Sequence, residues 1–138
     1  MSSAMQVQPY LFFEGRCEEA LEFYRRALGA EVTALMRSKD SPDPAMTIPG
    51  AEDKVIHAMV RIGESTLLAS DGRCQGSPTF RGFALSLTVP GEPEAERLFA
   101  ALGEDGQVLM PMMKTFFSPS FGMVADRFGV SWMIYVAP

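Results

Sequence analysis

One histidine and two cysteines are all that this chain of 138 residues has of the side chains that most often ligate transition metals. Any mechanism that needs an imidazole must therefore use His57. Cys17 and Cys74 stand in no metal-type spacing, and a reducing compartment keeps such a pair as thiols. Basic residues are scarce: 12 Lys and Arg face 17 Asp and Glu, for a net charge of -5. That balance excludes an extended phosphate-binding surface, so no nucleic acid is expected as a partner. Long apolar runs are missing too, none approaching the roughly 20 residues that span a bilayer. The opening "MSSAMQVQPY" lacks the basic region and apolar stretch of a secretion signal, so a cytoplasmic location without a membrane partner is expected. No strand runs through a glycine-rich turn into a helix, which removes the usual cradle of a nucleotide-type cofactor. Ser70, Ser77 and Ser118 lack the elbow sequence of a serine nucleophile.

What the chain does have is apolar content, 47%, ample for one packed domain. Val7 to Phe13 reads as a buried strand closed by Glu14-Gly15. In "CEEALEFYRRALG", Ala20, Phe23, Tyr24, Ala27 and Leu28 share one helical stripe. Glu18 and Glu19 suit the positive helix start, Arg25 and Arg26 the negative end, and Gly29 a left-handed cap, which sets a helix over Arg16 to Leu28. Strands follow at Glu31 to Lys39, Val55 to Ile62 and Ser65 to Ser70, the last two joined by a tight Gly63-Glu64 turn. Asp40 to Lys54, with three prolines and no periodicity, reads as a mobile surface loop.

The order then returns. "FALSLTV" is a strand, Pro93 to Leu102 a helix ending at Gly103, and "QVLMPMMKTFF", "FGMVADRF" and "VSWMIYV" are three strands. Matching Gly15 with Gly91 lays "VQPYLFFEG" over "FALSLTVPG", and "RIGESTLLAS" lies over "RFGVSWMIYV". Agreement at strand, helix and hairpin in one order implies an internal duplication. The expected architecture is α+β: a single domain over 6–137 made of two βαβββ repeats, 6–71 and 82–137, forming a cup-shaped mixed sheet.

"YLFFEGRCEEALEFYRRALGAEV", "HAMVRIGESTLLASDG", "EPEAERLFAALGEDGQVLMPM" and "FGMVADRFGVSWMI" resemble the PhnB-like branch of the vicinal oxygen chelate superfamily, the group of glyoxalase I, the bleomycin-resistance proteins and the extradiol dioxygenases. The resemblance runs from about Val7 to Val136 and implies the duplicated fold. It departs at Phe117, where related sequences usually carry a tryptophan. Superfamily enzymes hold a divalent metal from the first and last strands of each module. Carried onto this chain, those positions are Gln8, Leu67, Ala84 and Met133, counting four residues past Gly63 and Gly129 for the second and fourth. A shift of one residue brings Pro9, Leu68, Phe83, Leu85 or Trp132, none of which helps; only Ser70, Asp71 or Ser86 would add an oxygen. Leucine and alanine have no donor atom and a thioether is soft, so no metal and no other cofactor is expected. Some relatives carry a label implying a ubiquinone-type methyltransferase, for which the chain lacks the cradle named above.

What remains is a cup lined by Tyr10, Phe12, Ala69, Ser86, Thr88 and Tyr135, with Gln8 at its edge and Lys114 as the nearby cation. Aromatic bodies with few hydroxyls suit a small apolar or aromatic molecule. His57, on the strand side of Met59 and Arg61, reads either as a general base or substrate contact, or as a strand histidine satisfied by a neighbour. Cys17, at a helix start, has a dipole available to lower its pKa. Two functions stay open: metal-free small-molecule binding, or an enzyme of lyase, isomerase or dioxygenase type using His57 or an unrecognised metal site. The resemblance also implies a homodimer. The strands "VQPYLFFEG", whose one charge is the closing Glu14, and "FALSLTV" would be exposed edges in a monomer, and the Asp40 to Lys54 loop is expected to lid the partner's cup.

Overall fold

The computed structural model describes residues 5–43, 49–74 and 77–138. The chain divides into two units, Met1–Ser77 and Pro78–Pro138. The first holds strand β1 (Tyr10–Phe12), helix α1 (Cys17–Leu28), and strands β2 (Glu31–Arg37), β3 (Val55–Ile62) and β4 (Ser65–Ser70). The second holds β5 (Leu85–Val89), α2 (Glu92–Leu102), β6 (Gln107–Met113), β7 (Phe121–Ala125) and β8 (Ser131–Val136). Each unit has one four-stranded mixed sheet, in the orders β1-β4-β3-β2 and β5-β8-β7-β6. The pairs β1–β4 and β5–β8 are parallel, and the remaining pairs are antiparallel. Among the described residues no helix is long and apolar enough to cross a membrane.

In the first unit α1 covers one face of the sheet. Its stripe begins a turn earlier than the periodicity implied: Cys17 and Leu21 are buried with Ala20, Phe23, Tyr24 and Ala27, while Leu28 is only half-buried. Burying each of the larger side chains contributes about 1.5–3 kcal/mol. Gly29 takes the left-handed conformation at φ 69 that ends the helix. Arg16, in the N-cap position, makes no side-chain cap. The cap comes instead from 54 residues away, where Asp71 Oδ1 accepts a hydrogen bond from Cys17 N at 2.7 Å. Asp71 Oδ2 accepts from Val55 N, also at 2.7 Å, so one buried carboxylate ties the start of α1 and the start of β3 to the end of β4.

On the outer surface Arg37 of β2 donates to both carboxylate oxygens of Glu18 on α1, at 3.0 and 2.7 Å. That hydrogen-bonded guanidinium holds Glu18 below the usual carboxylate range. The pair therefore contributes fully at neutral pH and loses its contribution as pH falls through the acid range, though exposure to solvent keeps that contribution small.

Six strands, β1, β2, β5, β6, β7 and β8, are shorter than the sequence pattern suggests, and for three of them a local cause is visible. β1 spans Tyr10–Phe12 because Pro9 has no N–H to donate, although its carbonyl still accepts from Leu68 N. β6 stops at Met113, and Thr115 N then turns back onto Ser118 O. β7 stops at Ala125, since Asp126 folds the turn, its carboxylate accepting from Phe128 N, Val130 N and Trp132 Nε1. Residues 44–48 of the loop read between Asp40 and Lys54 lie outside the described residues, and so does any lid role for them. The described ends are tied together by Ser38 N to Lys54 O, Lys39 N to Glu52 O and a 2.9 Å Lys39–Asp53 ion pair.

In the second unit α2 covers the sheet through Ala95, Leu98 and Leu102. Gly122 on β7 leaves room there, since a Cβ would sit 2.6 Å from Met112 Sδ and 3.0 Å from Phe99 Cε2.

Asp71→Ala strands two buried N–H groups that now meet a charged acceptor, so it should cost about 3–5 kcal/mol of unfolding free energy in urea titrations. Asp71→Asn, which keeps one acceptor, should recover part of that. A loss below about 1 kcal/mol for the alanine variant would show that the carboxylate is not the tie described.

Candidate functional site

Strand alternation and register decide which side chains lie on the sheet face turned away from each helix. In the first unit one cross-strand row is Tyr10, Leu68, Met59 and Ala34. Phe12 stands beside it, opposite Ser70; His57 is opposite Met36, and Arg61 is opposite Glu31, with which it forms an ion pair. The Tyr10 and Phe12 rings are stacked, centroids 4.9 Å apart and 21° between planes. Both are solvent-accessible, at 36% and 51% exposure, which is unusual for two adjacent strand aromatics.

Tyr10 Oη lies 3.2 Å from His57 Nδ1. Two arrangements satisfy this contact: the phenol donates to Nδ1 and the ring proton sits on Nε2, or Nδ1–H donates to the phenol, whose own proton goes to Ile56 O at 3.5 Å. Stacked rings next to a phenol–imidazole pair can hold a flat apolar molecule and offer it a hydrogen bond. They can also move a proton. Gln8, two residues before Tyr10, is half-buried just outside the strand.

In the second unit the equivalent face carries two adjacent rows. One is Ser86, Met133, Met123 and Met110; the other is Thr88, Tyr135, Phe121 and Met113. Phe117 lies over the second row, stacked on Tyr135 at 6.2 Å and 19° and edge-on to Phe121 at 5.1 Å. Tyr135 Oη donates to Phe117 O at 3.3 Å. Lys114 is exposed just beyond the end of β6.

The structure thus gathers Tyr10, Phe12 and His57 on one face of the first unit, and Ser86 and Tyr135 on one face of the second. Ala69 does not belong with them. It is buried, opposite Leu11 and Ala58, on the side of α1. Leu67 is buried on that side too. Counting four residues past a glycine fails because the hairpins differ: Ile62 pairs with Ser65 across two residues, whereas Ala125 pairs with Ser131 across five. The same count therefore lands on opposite faces, and the partner of Met133 by face is Leu68. The stacking of Phe117 on Tyr135 and the methionine row were missed because both depend on register; the run "VLMPMM" was the available signal.

A hard divalent ion of the kind superfamily enzymes use does not fit these faces. The rows offer phenol, hydroxyl and thioether, His57 is the one imidazole beside them, Glu31 is paired with Arg61, and among the described residues no three His, Cys, Asp or Glu side chains are grouped for a metal. Cys17 is not a reactive thiol either. Burial raises its pKa strongly, with Asp71 and then Glu18 adding to the effect, which reverses the lowering expected from its place at a helix start. Burial and Asp71 also raise the pKa of Cys74.

Residues 5–135 match the family model described as 3-demethylubiquinone-9 3-methyltransferase. Protein PA1353 from Pseudomonas aeruginosa is 41% identical, with a TM-score of 0.85 over 97% of this chain and 98% of that one. Protein YjdN of Escherichia coli (strain K12) is 36% identical over 96% of this chain and 95% of its own. The PhnB protein from Bacillus cereus, whose name also carries the methyltransferase description, is 31% identical, with a TM-score of 0.80 over 96% and 100%. The fold alone is shared, at 14% identity and a TM-score of 0.66, with a glyoxylase/bleomycin resistance protein/dioxygenase domain from Frankia sp. EAN1pec, over 100% of this chain and 99% of that one.

The methyl-donor cofactor that this description implies does not fit the residues present. Each sheet is mixed, with its parallel pair at the edge, and the first N–H of α1 is already taken by Asp71.

Alkylation with iodoacetamide at mildly alkaline pH should modify Cys74 slowly and leave Cys17 intact until the chain is unfolded, as read by peptide mass. Labelling of Cys17 in the folded protein at the rate of Cys74 would contradict its burial.

Proposed function

The chain belongs to the 3-demethylubiquinone-9 3-methyltransferase family, the PhnB-like branch of the vicinal oxygen chelate superfamily, and from that membership we propose that it is a cytoplasmic, metal-free binder of a small apolar or aromatic molecule. One observation carries the reading: two stacked aromatic rings, Tyr10 and Phe12, stand exposed on a sheet face beside a phenol–imidazole hydrogen bond. Exposed apolar surface of this kind is costly in water and gains when a flat ligand covers it. In this reading Tyr10 and Phe12 stack on the ligand, and His57 meets it through Nε2, the ring nitrogen that Tyr10 does not contact. Gln8 is the polar group beside the first unit's face, and Ser86, Lys114 and Tyr135 are those on and beside the second unit's face, each taken as a contact for a ligand on its own face.

A second reading, an enzyme of lyase, isomerase or dioxygenase type, draws on the same 3.2 Å contact between Tyr10 and His57, which is a proton path as well as a structural bond. His57→Gln separates the two. A binder keeps most of its affinity when the imidazole becomes an amide, whereas an acid–base catalyst keeps affinity and loses turnover.

The proposal extends to a homodimer. β1 and β5, which carry no charged residue, each lie at an edge of their sheet, and such edges invite pairing with a second copy. Sedimentation equilibrium at micromolar concentration should give twice the 15.1 kDa chain mass, and the single-chain mass would end this part of the proposal.

The neutral fluorescent probe 1-N-phenylnaphthylamine tests the binding face directly. It should saturate at one class of site, and Phe12→Ala should weaken it by about tenfold, since an aromatic pair contributes about 0.5–1.5 kcal/mol beyond its buried area. Equal binding by the wild type and by Phe12→Ala would reject the face as the site.

A further inference from the structure

Methionine is not a favoured strand residue; β-branched and aromatic side chains fill strands in preference to it. Yet on the second sheet three neighbouring strands each place a methionine in one cross-strand row. Met110 of β6 is opposite Met123 of β7, and Met123 is opposite Met133 of β8. Exposure confirms the face: Met123 and Met133 are half-buried, alternating with the buried Val124, Trp132 and Ile134, and Met110 is 36% exposed. Met112 is not part of the row, because its sulfur packs over Gly122 beside Phe99 of α2, on the opposite face.

Directly opposite side chains on neighbouring strands have Cβ atoms about 4.5–5.5 Å apart. An unbranched thioether with three rotatable bonds lets the two outer sulfurs lean over the middle strand. The three thioethers are therefore neighbours on one face with the reach to meet above β7. Ser86 closes the β5 end of the row, and the Tyr135–Phe121 row runs alongside it. No carboxylate or imidazole stands in either row, so a hard divalent cation has nothing to bind. A soft monovalent cation has three thioethers and flanking aromatic rings that attract positive charge. The corresponding row of the first sheet is Tyr10, Leu68, Met59 and Ala34, with a single sulfur, so the feature belongs to the second unit rather than to the shared fold.

We propose that Met110, Met123 and Met133 form a trigonal thioether site for Cu(I), for which Ag(I) is the redox-inert probe. Binding is coordination only: no electron moves and no bond in the protein breaks. Cys17, fully buried, cannot reach the ion, and Cys74 is removed as a competitor by Cys74→Ala in the full chain used for the test.

Silver nitrate is titrated into Cys74→Ala protein carrying methionines labelled with ¹³C at the ε-methyl. Resonances are assigned one by one through Met→Leu substitution. At one equivalent, the three methyls of Met110, Met123 and Met133 should move together while those of Met5 and Met59 stay in place. Met123→Leu conserves volume and leaves the fold and the phenylnaphthylamine titration unchanged. It should weaken Ag(I) by at least about tenfold, because even an outer-shell partner of a metal site is worth about 10- to 100-fold in affinity. Competition with bicinchoninate under reducing conditions should give the same ranking for Cu(I), and Zn(II) should leave the three resonances unmoved. The site does not exist if all ten methionines respond alike, if Met123→Leu binds Ag(I) as tightly as its parent, or if Zn(II) produces the same shifts.

Discussion

A buried carboxylate organises each unit, and the positions of the candidate site residues depend on it. An aspartate removed from water is expensive unless its oxygens are met by donors. Asp71 has that compensation from Cys17 N and Val55 N, and Asp126 from Phe128 N, Val130 N and Trp132 Nε1. Because the donors come from different elements, the charge is satisfied only when α1, β3 and β4 are assembled in one arrangement. That arrangement puts His57, two residues into β3 from the anchored Val55, within reach of Tyr10 on β1. The first sheet's candidate site is thus a consequence of where a charge from the end of β4 found its partners. Asp126 does the comparable work for β7 and β8, whose pairing brings Met123 opposite Met133.

Element order was legible because each element carries its own local signal. The apolar stripe and Gly29 mark α1; the Gly63-Glu64 turn marks the β3–β4 hairpin, and both are where the sequence places them. What the sequence could not reveal is the set of interactions made across distance. The cap of α1 comes from Asp71, 54 residues away, so no capping residue appears beside the helix. An alignment over glycines puts Ala69 and Leu67 on the site face because it assumes equal turns, and an odd difference in turn length, here two residues against five, exchanges the two faces of a strand. Cys17 illustrates the same limit in chemistry. Its helix-start position is visible in the sequence, while the burial and the neighbouring Asp71 carboxylate that outweigh the helix effect are not.

The two units share topology but differ in what their exposed faces present. The first offers stacked rings and an imidazole, the second thioethers and rings. Strand order and the helix-facing residues account for topology, since Val, Leu, Ile and Ala fill those positions in both units. The faces turned away from the helices are free of that packing demand, and there the sequences part. Phe117 belongs to this second set. It is held over Tyr135 and Phe121 by a turn whose buried Ser118 hydroxyl lies 2.8 Å from the carbonyl of Ser120 and 2.6 Å from that of Val136, a polar frame for an apolar surface.

Charge placement narrows the chemistry further. Among the residues in register on the two exposed faces, Arg61 and Glu31 are the only charged ones, and they neutralise each other. Elsewhere the charged side chains pair on outer surfaces: Glu22 with Arg25, Arg37 with Glu18, Lys39 with Asp53, and Arg127 with Glu104. An anionic ligand on the first face would compete with Glu31 for Arg61 and leave a carboxylate with its partner displaced, while a cationic one would displace Arg61 in the same way. Neither gains net attraction from a pair already closed. A neutral ligand leaves the pair intact and still covers Tyr10 and Phe12, so discrimination on this face falls to ring shape and to the one hydrogen bond that His57 Nε2 has left to make beside its contact with Tyr10.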